Sequence, residues 1–179
     1  AAHTALHTFC QKAFPTTSQG QLHWILGMRV TRDFQARTLS LDQNRAISDF
    51  VENNSRPVSS RTASTPMDRD WAYGTGPAST NAEDLIYYRS CIGSALFFAN
   101  CTRPDIAFAV NRLCRHLHEP NAACFSAVER LIRYLRDTPQ LGLRYVAPPQ
   151  DSPLTLELYA DASYGSEDAI QARSHPGYF

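Results

Sequence analysis

The run EDLIYYRSCIGSALFFANCTRPDIAFAVNRL, residues 83–113, decides how the middle of the chain folds. Leu85, Tyr88, Ile92, Leu96 and Ala99 recur at helical spacing, and Cys91, Phe97 and Phe98 widen that stripe almost all the way round, so the pattern predicts a buried helix. Pro104 suits the first turn of a second helix, where its missing N–H costs nothing, and Asp105 beside it complements the helix dipole. Ile106, Val110, Leu113 and Leu117 then face inward and Phe108, Arg112 and Arg115 outward, until Pro120 closes the helix. A third helix over 125–136 puts Val128, Leu131, Ile132 and Leu135 on one stripe and Arg130, Arg133 and Arg136 on the outer side. Residues 83–147 therefore read as a helical bundle.

Both flanks carry β signals. Residues 2–14 have helical composition but a weak apolar stripe, which stops at Pro15. Apolar density is high from Leu22 to Val30 with Gly27 interrupting it, and the polar turn 33–37 leads into the alternating Leu39-Ser40-Leu41-Asp42-Gln43, so a hairpin is predicted. Ala46, Ile47, Phe50 and Val51 then mark a short helix. Over 53–81, Pro57, Pro66, Pro77, Gly74 and Gly76 among many Ser and Thr predict a long irregular connection that wraps or links. Beyond the bundle, 141–146 is a short strand, and Pro148, Pro149 and Pro153 mark a second linker. Residues 154–161 alternate cleanly and end in Asp161, and Gly177-Tyr178-Phe179 opens a returning strand. The expected boundaries are 1–52, 53–82, 83–147 and 148–179, in an α+β chain.

Composition removes several function classes. With 179 residues and 43% apolar content the chain can bury a core. Its 17 basic and 17 acidic residues cancel, so any nucleic-acid binding has to be local. Sixteen of those 17 basic residues are Arg, the better bidentate phosphate partner, although codon bias produces the same excess. No apolar run approaches the roughly 18 residues needed to cross a bilayer and no secretory leader is evident, so neither a membrane partner nor secretion is expected. The five cysteines are odd in number and widely spaced, which is the pattern of reduced, intracellular thiols. Cys114 and His118 have helical i, i+4 spacing, but no further ligand pair stands at a recognisable distance, so zinc is not expected.

Six blocks in order resemble a known family. Leu26-Gly27 with its hairpin to Leu41-Asp42-Gln43, then Thr65-Pro66-Met67, Tyr88 to Leu96, Thr102-Arg103-Pro104-Asp105-Ile106-Ala107 with Asn111-Arg112-Leu113, Arg133 to Thr138 with Leu141-Gly142-Leu143, and Tyr159-Ala160-Asp161-Ala162-Ser163 with Arg173 to Tyr178 resemble copia-type LTR retrotransposon Pol polyproteins. The matching region is the C-terminal thumb and connection part of the reverse transcriptase, running into the start of ribonuclease H. Asp137 stands where the family usually has Gly, Cys124-Phe125 where it often has His and an aromatic, and Ser163 where a second Asp is common, departures that fit a diverged or decaying copy.

The resemblance implies a parent enzyme that makes DNA on an RNA template and degrades the RNA strand, using Mg²⁺. It places the polymerase Tyr-x-Asp-Asp motif before residue 1 and the remaining ribonuclease H carboxylates after residue 179, so a fragment is expected, with missing palm and ribonuclease H portions as partners. On this reading 1–52 is the end of the palm with the primer-supporting hairpin, and 148–179 is an incomplete ribonuclease H-like hairpin. The implied location is intracellular, in cytoplasmic virus-like particles or the nucleus.

Asp161 matches the first carboxylate of a two-metal ribonuclease H centre, in which one ion activates water and the other steadies the leaving oxygen. Without the family, an Asp ending a strand starts a turn. Glu167 and Asp168 lie in a loop polar throughout, more suited to solvent, and Glu157 stands about 13 Å along the strand from Asp161. No bound Mg²⁺ is therefore expected in this chain. Trp24 and Gly27 match the hairpin that supports the primer end, where Gly lets the backbone approach nucleic acid; an ordinary buried strand with a bulge gives the same pattern. Arg112, Arg115, Arg130, Arg133 and Arg136 are placed to touch phosphates of a template–primer duplex, yet Glu129 can pair with Arg133 and a solvated face reads the same way. The chain is thus expected to position RNA/DNA template–primer rather than turn over substrate. A domesticated helical protein-interaction module is the alternative.

Overall fold

The computed structural model describes residues 2–14, 17, 20–149, 152, 153, 155, 156, 160–163 and 175–178. The chain divides into two units, 1–146 and 147–179. In the first, α1 (Ala2–Ala13) precedes β1 (Trp24–Ile25), β2 (Met28–Asp33), β3 (Thr38–Asp42), α2 (Asn44–Glu52), α3 (Ala82–Cys101), α4 (Ala107–Cys114), α5 (Ala122–Asp137) and β4 (Gly142–Val146). The second contains the antiparallel pair β5 (Ala160–Ser163) and β6 (His175–Tyr178). The class is α+β.

The core lies among α2–α5. Helix α3 begins where the Asn81 side chain accepts the Glu83 N–H, with Glu83 and Asp84 in the first turn. It buries Tyr88, Cys91, Ile92, Ala95, Phe98 and Ala99, a stripe rotated from the expected one. Leu96, Phe97 and Ile86 stay exposed, so α3 is buried on one side rather than all round. Helix α5 starts at Asn121, whose side-chain oxygen accepts the N–H groups of Ala123 and Cys124, and buries Val128, Leu131, Ile132 and Leu135 as its periodicity predicts.

The second helix is shorter than expected. Residues Pro104–Ile106 form a 3-10 turn, and the chain leaves α4 at Arg115. Other contacts replace the missing turns: His116 stacks on Tyr73 at 4.1 Å between ring centroids, and the Leu117 carbonyl accepts Arg89 Nε–H. Because Cys114 ends α4, Cys114 and His118 do not share a helical face.

Residues 53–81 form a strap over the helices. Ala63 and Met67 are buried in the core, and Val58, Trp71 and Tyr73 pack against it. Arg56 pairs with Asp84 and lies over the Tyr87 ring at 4.1 Å. Ser59 N–H donates to Glu129 and Ala63 N–H to Asp137. Asp137, where the family usually has Gly, thus binds the strap.

Between α3 and α4 the Thr102-Arg103-Pro104-Asp105 block closes a buried clasp. Arg103 is fully buried. It grips Asp105 through Nε and Nη2 at 3.0 and 2.9 Å, and donates to the Thr138 carbonyl and hydroxyl, each at 2.8 Å. Tyr134 donates its hydroxyl to Asp105. Thr102 donates to the Gln43 side-chain oxygen, also buried, which ties the end of α3 to the start of α2.

One four-stranded antiparallel sheet, in the order β1-β2-β3-β4, replaces the separate hairpin and short strand expected. The apolar stretch 22–30 breaks into two strands at Leu26-Gly27, and β4 crosses the whole helical region in sequence to pair with β3. Gly142 sits opposite Asp42, where an added Cβ would lie 2.3 Å from the Leu41 carbonyl oxygen. Gly142→Ala is therefore expected to force β4 away from β3 and cost about 2 kcal/mol, measured by urea unfolding; unchanged stability would refute this close approach.

In the second unit, the returning strand at 177–178 is present within β6. Of the alternation read over 154–161, Thr155 and Leu156 lie outside any strand, and Ala160 and Asp161 lie in β5. Residues 154 and 157–159 of that stretch are outside the described ones.

Candidate nucleic-acid interface

Trp24 pairs with Arg29 and Ile25 with Met28, leaving the two-residue turn Leu26-Gly27. Both turn residues have positive φ, 49° and 77°, the requirement of a type I′ turn whose twist matches its strands. Glycine takes this conformation freely, whereas leucine pays about 1 kcal/mol for it. No heavy atom lies within 4 Å of a Cβ added at Gly27. Trp24 is 52% exposed and Leu26 79%, so the tip is an open apolar finger rather than a buried strand. Behind it lies a recess of about 420 Å³ lined by Trp24, Gly27, Arg45, Ala46 and Asp49 of α2. A groove of about 260 Å³ runs along β2 past His23, Trp24, Arg29, Thr31 and Arg32.

Directly opposed residues in antiparallel strands share a face, so the register sorts the sheet. Val30, Leu41 and Leu143 form one row, with Arg32, Leu39 and Tyr145 beside them and Ile25 and Met28 nearer the tip. The other face carries Trp24, Arg29, Thr31, Ser40 and Arg144. Asp42 belongs to this second face, but it is buried, accepting Arg29 Nε–H at 3.0 Å and the Asn44 N–H.

The five arginines predicted on the helices do not gather at the hairpin. Arg130 donates to the Thr65 carbonyl and hydroxyl and pairs with Asp68 at 2.8 Å. Arg136 donates to the Ser59 and Arg61 carbonyls and to Asp137. Arg133 lies 3.9 Å from Glu129 and is largely covered. Arg112 sits over the Trp71 and Phe108 rings at 5.3 and 5.8 Å, and Arg115 caps α4. The strap at 53–81 contacts four of them or their neighbours, and single-helix periodicity carries no sign of such a distant partner. Arg29, Arg32 and Arg144 lie on the sheet and Arg45 beside it, all absent from the sequence reading; the alternation Arg29-Val30-Thr31 was the available signal.

Asp161 pairs with Gly177 in the β5–β6 ladder. Glu157, Glu167 and Asp168 lie outside the described residues. Among the described residues no group of three or more His, Cys, Asp or Glu side chains could hold a metal ion. No helix among them is long and apolar enough to cross a membrane.

Comparison with known sequences gives this arrangement a context. The chain is 30% identical over 165 residues, 92% of its length, to the retrovirus-related Pol polyprotein from transposon RE1 of Arabidopsis thaliana. It is 33% identical over 136 residues, 71% of its length, to the corresponding polyprotein from transposon TNT 1-94 of Nicotiana tabacum. The chain is homologous to retrotransposon Pol polyproteins. It spans 11% of the RE1 Pol polyprotein and 10% of the TNT 1-94 one, about a tenth of each. An uncharacterized mitochondrial protein of Arabidopsis thaliana is 28% identical over 84% of the chain, which covers 59% of that protein. No protein-family model and no solved structure matches. The RE1 Pol alignment covers 92% of the chain, so it spans most of the hairpin, strap and helical-bundle sequence.

Proposed function

We propose that the chain positions template–primer nucleic acid as part of a retrotransposon reverse transcriptase and ribonuclease H polyprotein, without a complete catalytic site of its own. The parent activity is RNA-directed DNA synthesis with degradation of the RNA strand, dependent on Mg²⁺. The palm and the rest of ribonuclease H are its partners in that polyprotein, inside the cell in virus-like particles or the nucleus. Asp161 belongs to the ribonuclease H portion and serves only together with carboxylates elsewhere in the polyprotein.

The observation that carries this reading is the open hairpin tip: a half-exposed Trp24 beside a positive-φ Leu26-Gly27 turn, with no heavy atom within 4 Å of a Cβ added at Gly27. Exposed tryptophan offers a stacking surface worth about 1–3 kcal/mol per base, and a glycine in the turn lets the backbone approach a ligand at that position. The helix arginines enter this proposal only as secondary phosphate contacts, because Arg130 and Arg136 are engaged with the strap.

Fluorescence anisotropy with a labelled primer–template should detect binding that weakens steeply with salt. Trp24→Ala should lower affinity about tenfold, the low end of one lost base stack. Absence of binding to duplex or single strand at low salt would overturn the proposal. It would favour a protein-interaction module, for which the exposed Ile86, Phe97 and Phe108 supply apolar surface.

A further inference from the structure

The four-stranded sheet has a polar face opposite its mainly apolar one. We propose that this face of β1–β4, presenting Arg29, Thr31, Ser40 and Arg144, binds the sugar–phosphate backbone of one nucleic-acid strand while a base of that strand stacks on Trp24. The inference rests on the function proposed above and names the surface and the moiety it recognises.

Three features single out this occupant. The first is charge. Asp42 and Asp33 are the acids in these rows. Asp42 is buried with its carboxylate turned to Arg29 and Asn44, and Asp33, at the far end, accepts the N–H groups of Gln35 and Ala36. The Arg29 side chain meanwhile remains 51% exposed, and Arg144 is exposed on β4. The face thus presents guanidinium groups outward and turns its carboxylates to internal partners.

The second feature is spacing. Arg29 and Arg144 lie two strands and one row apart. Strand separation and rise put their Cα atoms about 12 Å apart, roughly three to four nucleotides of rise along one strand. Thr31 and Ser40 fall in the row of Arg144 and supply hydroxyl donors, the side chains that with Arg commonly hold phosphate oxygens.

The third is the aromatic. Trp24 lies on the same face, opposite Arg29, and half of it is exposed. A charged surface with a stacking ring at one end is the recurring design for binding a strand independently of its sequence. The opposite face is mainly apolar, with Val30, Leu39, Leu41 and Leu143, and its donors are Arg32, opposite Leu39, and the Tyr145 hydroxyl.

The test uses the full chain and a fluorescein-labelled primer–template with a single-stranded overhang, titrated between about 50 and 200 mM salt. Each phosphate contact contributes about 0.9 to the slope of log affinity against log salt on B-form DNA. The Arg29→Gln, Arg144→Gln double variant should therefore lower the slope by about 1.8, and Arg144→Gln alone by about 0.9. Arg69→Gln, which removes the same charge from the exposed strap, should leave the slope unchanged. Arg29 also bonds Asp42, so the single Arg144 variant, with thermal melting matching the wild type, separates lost contact from lost fold. Wild-type binding with an unchanged slope in the Arg144 variant overturns the inference and leaves the proposed function standing. An equal reduction by Arg69→Gln overturns it as well, by making the effect one of net charge. No binding by the wild type sinks both.

Discussion

Arg103→Met is expected to destabilise the 1–146 unit by about 3–5 kcal/mol, the cost of removing one partner from a buried, hydrogen-bonded charge cluster. Arg103 is fully buried and makes four hydrogen bonds, two to the Asp105 carboxylate and two to Thr138. Its guanidinium also lies 5.5 Å from the Tyr134 ring centroid. Taking it away leaves the Thr138 carbonyl with the Leu141 N–H alone, and Asp105 with Tyr134 and its own backbone N–H. The Asp105 side chain is 33% exposed, so water can rehydrate part of it, which favours the lower end of the range. For a domain of this size the midpoint temperature should fall by about 10 °C.

Arg103→Lys tests whether the fork or the charge matters. An ammonium has the charge but cannot span carboxylate, carbonyl and hydroxyl together, so Lys should recover less than half of the loss. Urea unfolding of both variants provides the measurement; a Lys variant within 1 kcal/mol of wild type would contradict the role given to the fork.

The clasp also sets an acid limit. Burial acts to raise the Asp105 pKa, but hydrogen bonds from Arg103 and Tyr134, together with the Arg103 charge, outweigh it and hold the carboxyl below its ordinary value of 3.8. A carboxyl whose pKa is depressed on folding contributes stability above its unfolded pKa and loses it as pH falls through the folded one. Unfolding free energy should therefore decline as pH drops below about 4, and that decline should shrink in Arg103→Met, where the depression is gone.

How much of this was legible from sequence differs from element to element. Helix α5 is amphipathic with one clear stripe, so its buried face follows directly from its spacing. In α3, apolar residues surround the axis and support two overlapping stripes. Tyr88, Ile92 and Ala99 belong to both, whereas Ala95 replaces Leu96 in the buried set because neighbours, not periodicity, choose between them. The sheet was legible as two hydrophobic stretches but not as one object, since the β3–β4 pairing joins segments separated by the whole bundle. Gly142 reveals its reason only beside the Leu41 carbonyl. The Thr-Arg-Pro-Asp block was recognisable as a motif, and Asp105 was read as a dipole partner; its clasp depends on Tyr134 and Thr138, some 30 residues on. The hairpin that carries Trp24 and Gly27 was legible because its tip is local. The contacts that the helix arginines make with the strap were not, because single-helix spacing carries no trace of it.

Those strap contacts decide the second expected result. A triple change of Arg130, Arg133 and Arg136 to Gln is expected to cost about 3 kcal/mol of stability, where a purely solvated or phosphate-binding face would leave stability nearly intact. Arg130 makes two hydrogen bonds to Thr65 and an ion pair with Asp68, and Arg136 holds the Ser59 and Arg61 carbonyls. Each such bond is worth about 0.5–1.5 kcal/mol net, and the Arg130, Arg133 and Arg136 side chains are 24%, 16% and 29% exposed, so the total stays well below the sum of the upper values. Glutamine can retain one of the carbonyl contacts, which trims it further. The loss should be local first. Amide exchange should quicken at Ser59 and Ala63, whose N–H groups donate to Glu129 and Asp137, before it quickens in α3. Asp137 reports the same change by titration. The Arg136 hydrogen bond leads in holding its pKa below the ordinary value of 3.8, against a smaller opposing effect of burial and with help from Ala63 N–H and the nearby arginine charges. In the triple variant that carboxyl should titrate closer to its ordinary value, and the part of stability lost below about pH 4 through Asp137 should diminish. Unchanged strap exchange and unchanged stability, together with a flattened salt dependence of nucleic-acid binding, would reverse the assignment and return these three arginines to the phosphate-contacting face read from their helical spacing.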